Sequence, residues 1–379
     1  MFFFRLTLYL SVFCFSAGAQ NIEQEYNELI KAGNYLKALK IVEEGIASNP
    51  NINSLYFKHI EAILYLYSSN KDTSENILNK AYQSLFNIQK HNLSNHESEK
   101  LKTFSQQLSI PFYRKAAIYM NLEQFDNAKN WFHKTLQIKQ LANEYDDNLF
   151  FYTGLAAYNA NDNELMQQCF SILIQNNNAN SIVYEILLNY YFNKEKKSQF
   201  KQLFDKALLQ HIELNENIHL LYILILEKDM NCTDFYKYNK QLQWYSNPNI
   251  EIKKEVANMN YICNDTNAAI QQYQTILSEY PHDTFALTQI GIIYYNKGIK
   301  YLQEAKRIIS ISEQNIEPYR KLKDIHIESM KYAVYYLEKA IMQSTSSQNV
   351  IQCLYLANKY LQRKEAMNQL KQKYLFIKE

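Results

Sequence analysis

Catalysis and metal binding need side chains that converge, and few in this chain are spaced to do so. His91 and His96 sit in a polar stretch, too far apart for ligands on adjacent helical turns. H-E-x-x-H does not occur, and His133 and His219 stand alone, as packing or surface residues do. Glu43 and Glu44 are adjacent, as are Asp146 and Asp147, and Glu97 and Glu99 lie two apart. On a helix such neighbours diverge, so none of these pairs reads as a general acid and base. With only 6 glycines, neither a dinucleotide nor a P-loop phosphate cradle can be written. No catalytic residue, metal site or cofactor is expected, since the acids and histidines that an enzyme would bring to one face are not found.

The elements that would have to position any site begin after an export leader. Met1 to Arg5 is a short basic start, Leu6 to Phe15 is apolar, and Ser16-Ala17-Gly18-Ala19 offers small residues for cleavage before Gln20. The apolar run is too short to span a bilayer, and the bulky Phe13 before Cys14 argues against lipidation there. Residues 1–19 are therefore read as a signal peptide, and the mature chain as exported, periplasmic or envelope-associated. No later segment reads as transmembrane. Removing Arg5 from 40 basic residues leaves 39 against 38 acidic ones, a balance with no footprint for nucleic acid. Hydrophobic residues at 47% are ample for a core, and 6 Gly with 5 Pro in 379 residues favour long helices over a turn-rich sheet.

An internal period organises residues 20–379 as one solenoid. Tyr26 and Leu29, a turn at Gly33-Asn34-Tyr35, then Ala38 and Gly45 and a stop at Asn49-Pro50 make the first helical hairpin. The scheme recurs through Phe112 and Ala116, Gly154 and Tyr158, Tyr184 and Leu187, Ala257 and Tyr261, and Ile290-Gly291 and Tyr294. Gly154 to Leu188 and Ala257 to Gly291 are both steps of 34. Small residues belong where two helices cross closely, and large ones between neighbouring hairpins. Clear repeats are placed at about 21–52, 109–143, 147–180, 181–214, 250–283 and 284–343. Weaker ones fall at 53–108, with an extra helix near 96–109, and at 215–248. Residues 299–330 read as a helical insert in the last repeat, with Pro318 starting a new helix, and 349–379 as a C-terminal cap. Cys232 and Cys263 fall in matched turns of consecutive repeats, along one edge, and are candidates for a disulfide, the alternative being two free thiols too far apart to bridge.

These residues resemble the tetratricopeptide-repeat superfamily, and among its members exported repeat proteins of Bacteroidetes-type bacteria. The likeness is carried by Ile290 to Gly298, the stretch through Pro318-Tyr319, and Tyr335 to Ala340. It implies an all-α, right-handed superhelix of paired helices with a groove lined by the first helix of each pair, and no settled activity. Some relatives hold a chaperone's C-terminal carboxylate with Lys, Asn and Arg on successive helices. Here the matching positions are Tyr113, Arg114 and Ala117, then Phe151, Tyr152 and Leu155, then Glu185, Ile186 and Asn189. Only Arg114 and Asn189 have suitable chemistry, so that clamp is not expected. The groove candidates are Tyr113, Arg114, Tyr152, Glu185, Asn189 and Gln289. The function expected is a non-catalytic scaffold for a partner protein or peptide. The alternatives are a structural subunit of an envelope assembly (outer-membrane insertion, secretion or motility machinery), a glycan-binding protein or an enzyme.

Overall fold

Asparagine and aspartate punctuate this chain where other proteins would use glycine. Asp146, Asp162, Asn215, Asn249 and Asp265 each cap a helix, the side chain accepting from the backbone N–H three residues on. Left-handed backbone at Asn70, Glu123, Asn161, Glu195, Met230, Asn264 and Gln362, and at Gly33, reverses the chain after the first helix of successive hairpins. Asparagine tolerates that conformation better than most residues, so a repeat can be built with few glycines.

The computed structural model describes residues 21–88, 93–242, 248–311, 316–343, 347–374 and 377. The expected leader lies outside them. The described residues contain helices and no strand. The helices alternate as first (A) and second (B) members of hairpins: α1 (21–31) with α2 (Tyr35–Ser48), α3 (Asn53–Ser68) with α4 (Glu75–Ile88), α5 (Asn95–Asn121) with α6 (Phe125–Leu141), and α7 (Asp147–Asn159) with α8 (Asn163–Gln175). Then come α9 (Ser181–Asn193) with α10 (Lys197–Leu209), α11 (Glu216–Lys228) with α12 (Cys232–Leu242), α13 (Ile250–Ile262) with α14 (Thr266–Glu279), α15 (Thr284–Ile311) with α16 (Ile316–Gln343), and α17 (Gln348–Tyr360) with α18 (Lys364–Lys373). Two compact units divide the chain, Met1–Val183 and Tyr184–Glu379.

In the first unit each helix packs on the next, and α5 also touches α3. Gly154 of α7 faces the ring of Phe170 on α8, and a Cβ there would lie 2.4 Å from Phe170 Cε1. Phe170 is fully buried, so the ring cannot swing into solvent. Gly154→Val is expected to destabilise the protein by about 3 kcal/mol through overpacking, read as a lower denaturant midpoint. An unchanged midpoint would mean that the crossing is looser than described.

The structure replaces the expected break near residue 110 with one continuous helix. Helix α5 runs 27 residues through Pro111, opened by a capping box between Ser94 and Glu97. Proline in a helix interior forfeits a hydrogen bond, at about 3 kcal/mol. Leu101, Phe104, Ser105, Leu108, Ser109, Phe112 and Ala116 are all buried on one stripe. Burying several such large side chains, at about 1.5–3 kcal/mol each, outweighs the proline.

In the second unit the weak stretch after Asn215 is a full hairpin. Its anchor is an aromatic knot in which Phe204, Tyr222, Tyr238 and His219 meet within 4.2–6.1 Å. Residues 299–330 do not interrupt the following repeat. They lengthen both of its helices, α15 to Ile311 and α16 from Ile316, with Pro318 inside the first turn of α16. Gly291 admits Leu337, and Gly298 admits Met330. The His326 ring is hydrogen-bonded to Gly298 O at 2.9 Å, which holds the two helices together past the usual end of a repeat. Helix α17 buries Val350, Ile351, Leu354 and Tyr355, whereas α18 has no buried residue.

Candidate functional site

The A helices α3 and α5 leave between them a cleft of about 970 Å³ in the first unit. Helix α3 lends it Glu61, Leu64, Tyr65 and Ser68, which recur at helical spacing along one face. Helix α5 lends a matching stripe: His96, Lys100, Thr103, Gln107, Ile110 and Arg114. Tyr65 is 38% exposed, and its ring stacks on Tyr35 at 5.2 Å. Ile110 is 54% exposed. Lys100 lies over the rings of Phe57 and Phe104, at 5.0 and 5.8 Å. Glu61 accepts from Tyr26 and pairs with Lys58. Among the described residues Arg114 has no ion pair. The stretch read as a weak repeat, 53–108, thus supplies most of the cleft's lining, and Ile110, Pro111 and Arg114 come from the repeat that follows.

The six groove candidates fall into different settings. Arg114 lines the cleft. Tyr113 and Tyr152 flank the buried Phe132 ring, with centroids at 5.6 and 6.0 Å. Burial raises the Tyr113 phenol, and the nearby Tyr152 and Asp146 add to it. Glu185, Asn189 and Gln289 belong to the second unit. Glu185 accepts the backbone N–H of Asn215 at 2.9 Å, bracing the start of the next A helix. Asn189 donates to its own helix at Glu185 O, 2.9 Å. Gln289 is half-buried on α15.

Within each unit, charge ties consecutive hairpins. Lys129 pairs with Asp162 at 3.2 Å, Lys201 with Asp234 at 2.7 Å, and Lys197 with Asp229. Lys197 opens α10 and Asp229 ends α11; one repeat on, Cys232 opens α12 and Cys263 ends α13. Those cysteines are disulfide-bonded, with Cα atoms 5.6 Å apart. The cystine thus stands where the preceding repeat has an ion pair. Cys169 is buried, and burial pushes its thiol up to about 12, which makes it a poor nucleophile.

Two constellations are absent from the sequence reading. His59 Nδ1 lies 2.8 Å from Ser84 Oγ, and His59 Nε2 lies 3.5 Å from Glu43, which Lys80 contacts at 2.7 Å. Burial would raise the Glu43 carboxyl, but Lys80 holds it below the usual range; burial lowers His59. The arrangement has the residue types of a nucleophilic triad. Ser84 and His59 are only 4% and 5% exposed, so no substrate carbonyl reaches the hydroxyl, and the network serves to lock α2, α3 and α4 in register. The second constellation corrects the expectation that no acids converge. Glu227 of α11 and Glu255 of α13 are half-buried, and Asn258 donates to Glu227 at 3.0 Å. Burial raises Glu255, and the charge of Glu227 raises it further. Behind them the Tyr273 hydroxyl is buried without a hydrogen-bond partner. Residues 28 positions apart give no local spacing signal; only the stacking of α11 on α13 brings them together.

No helix among the described residues is long and apolar enough to cross a membrane. No family model matches the chain, and no curated protein does. Among solved structures it is similar to a TPR repeats protein from Bacteroides fragilis, at 18% identity over 66% of this chain and 98% of that one, with a TM-score of 0.32. It is also similar to the TPR domain of P58(IPK), at 12% identity over 91% and 99% with a TM-score of 0.29. A third likeness is to the human IFIT1 dimer with m7Gppp-AAAA, at 14% identity over 85% and 68% with a TM-score of 0.37. Within each unit A and B helices cross at small residues such as Gly154 and Gly291, and each hairpin covers the next. By that packing each unit is an all-α array of consecutive helical hairpins.

Proposed function

We propose that the chain is a non-catalytic interaction scaffold, exported to the periplasm or cell envelope, which takes a segment of a partner protein on the A-helix face of its first unit. The observation that carries this reading is the α3–α5 cleft. Its volume is ample for several side chains. Tyr65 and Ile110 offer apolar surface inside it, and Arg114 offers a cation without an internal counter-ion. Aromatic and arginine side chains in such settings dominate binding energy. The enclosure of Ser84 and His59 supports a binding role over a hydrolytic one. The leader-like pattern of residues 1–19 and the Cys232–Cys263 cystine support export, because disulfides persist in oxidising compartments.

The test is cross-linking in source cells followed by capture on the tagged protein, repeated with Tyr65→Ala, Ile110→Ala and Arg114→Ala combined. These side chains are exposed, so the melting temperature should hold. A dominant partner should lose at least about tenfold in affinity, as expected when residues central to an interface are truncated. Full retention of that partner by the triple variant would move the interface elsewhere.

A further inference from the structure

The second unit carries a feature that the cleft reading does not use. Glu227 and Glu255 come together from consecutive A helices, bridged by Asn258, whose amide donates to Glu227 at 3.0 Å. Asn258 is also hydrogen-bonded to Glu255. Both carboxylates are half-buried, and among the described residues neither has an ion pair. Two carboxylates sharing one partly dry site repel each other unless a proton or a cation intervenes. Other acids of this unit meet donors: Glu185 and Glu216 accept backbone N–H groups of Asn215 and Asn249, and Asp283 pairs with Lys254 at 2.9 Å. The Glu227–Glu255 pair has the Asn258 amide and, among the described residues, no ion-paired cation.

An independent observation points the same way. Tyr273 is fully buried on α14, its hydroxyl has no partner, and both Glu227 and Glu255 act on it electrostatically. Buried polar atoms without partners are rare, and one within electrostatic reach of an acidic pair marks a place where a polar partner, such as a donor to its lone pairs, is missing. The donor must be cationic to balance the carboxylates and must offer several N–H groups to reach separate acceptors. A lysine ammonium has three donors and an arginine guanidinium five. A divalent metal fits less well, since no group of three or more metal-ligating side chains converges among the described residues.

We propose that Glu227, Glu255 and Asn258, with the Tyr273 hydroxyl behind them, form a receptor for a lysine or arginine side chain of a polypeptide partner. This rests on the scaffold reading for the partner's being a polypeptide, and it places a cation-selective contact on the second unit. The site recognises positive charge, whereas Arg114 in the first unit offers positive charge.

The experiment has two arms, both on the full chain. In the first, carboxylate and tyrosine NMR signals are followed during titration with N-acetyl-lysine methylamide, N-acetyl-arginine methylamide, the norleucine analogue and calcium. Saturable shifts at Glu227, Glu255 and Tyr273 with the two cationic amides are expected, but not with norleucine. The response should weaken about tenfold or more in Glu255→Gln, the loss of one charge-assisted contact. Equal shifts with norleucine, a tighter response to calcium than to either amide, or an unchanged response in Glu255→Gln would each overturn the proposal. Glu255→Gln removes a repulsion, so folding should be preserved; Glu227→Gln serves as the second variant. In the second arm a displayed random peptide library is panned on the wild type and on Glu255→Gln. A fixed Lys or Arg that disappears with the variant supports the site. Enriched peptides without that dependence sink the receptor and leave the scaffold standing. Failure to enrich any peptide on either protein, with the NMR response intact, counts against the scaffold's taking linear segments and not against the cation site.

Discussion

Changing both Cys232 and Cys263 to serine should lower the stability of the second unit by about 3–4 kcal/mol, the chain-entropy estimate for a bridge closing a loop of this size. The bridge joins residues 31 apart. Its effect should be concentrated locally, because a repeat array is held by nearest-neighbour interfaces. Hydrogen exchange should therefore quicken in α11, α12 and α13 far more than in α3 or α7. Reduction of the wild type by dithiothreitol should reproduce the double-serine profile. A melting curve unchanged by either treatment would show that the flanking packing alone holds these helices. The single serine variants are informative too, since each leaves one thiol to be trapped by an alkylating reagent.

Lowering the pH below about 6.5 should destabilise the same unit through His219. Burial holds this imidazole at a pKa of about 4, against the smaller raising effects of Glu216 and the hydrogen bond to the Leu214 backbone. Tyr238 occupies its Nδ1 at 2.8 Å. With Nε2–H donating to the Leu214 carbonyl, the neutral tautomer has both nitrogens satisfied, and a second proton would displace the phenol as donor. The unfolded chain binds that proton near pH 6.5 and the folded chain only near 4. Stability is then fully present above about pH 6.5 and falls as pH approaches 4. The total is about 3 kcal/mol for a gap of that width. Denaturant titrations at a series of pH values, on wild type and His219→Gln, would isolate this residue from His59, which burial also lowers. Parallel pH profiles for the two proteins would refute the assignment.

The fold was legible where a rule acts locally. Gly154 and Gly291 sit at helix crossings that leave no room for a Cβ, and a glycine recurring at a fixed place in a period announces such a crossing. The turn residues at Asn161-Asp162 and Asn264-Asp265 do double duty, one taking the left-handed backbone and the next capping the B helix. Cys232 and Cys263 were readable as a pair because their positions in the period match. The boundary placed at residue 109 gives way to a continuous α5 because burial of Phe104, Leu108 and Phe112 against neighbouring helices carries the helix through Pro111. The start of the insert, placed at residue 299, carries no local sign that α15 continues, since Gly298 serves as a contact point for Met330 on α16. The candidate sites were less legible still. Glu185 looked like a groove ligand and braces the next helix, while Glu227 with Glu255, and His59 with Ser84, meet only after hairpins stack.

The continuity of α5 has a mechanical meaning. A helix of 27 residues is a rod about 40 Å long, and it forms one wall of the cleft and then goes on to pack against α6. Arrays of short helices yield at their joints, and the expected joint near residue 110 is missing. Pulling the cleft wider must bend the rod itself, or strip its buried stripe from its neighbours, and both are stiff responses. A visiting segment therefore meets a wall already in place, and little of its binding energy goes into shaping the host.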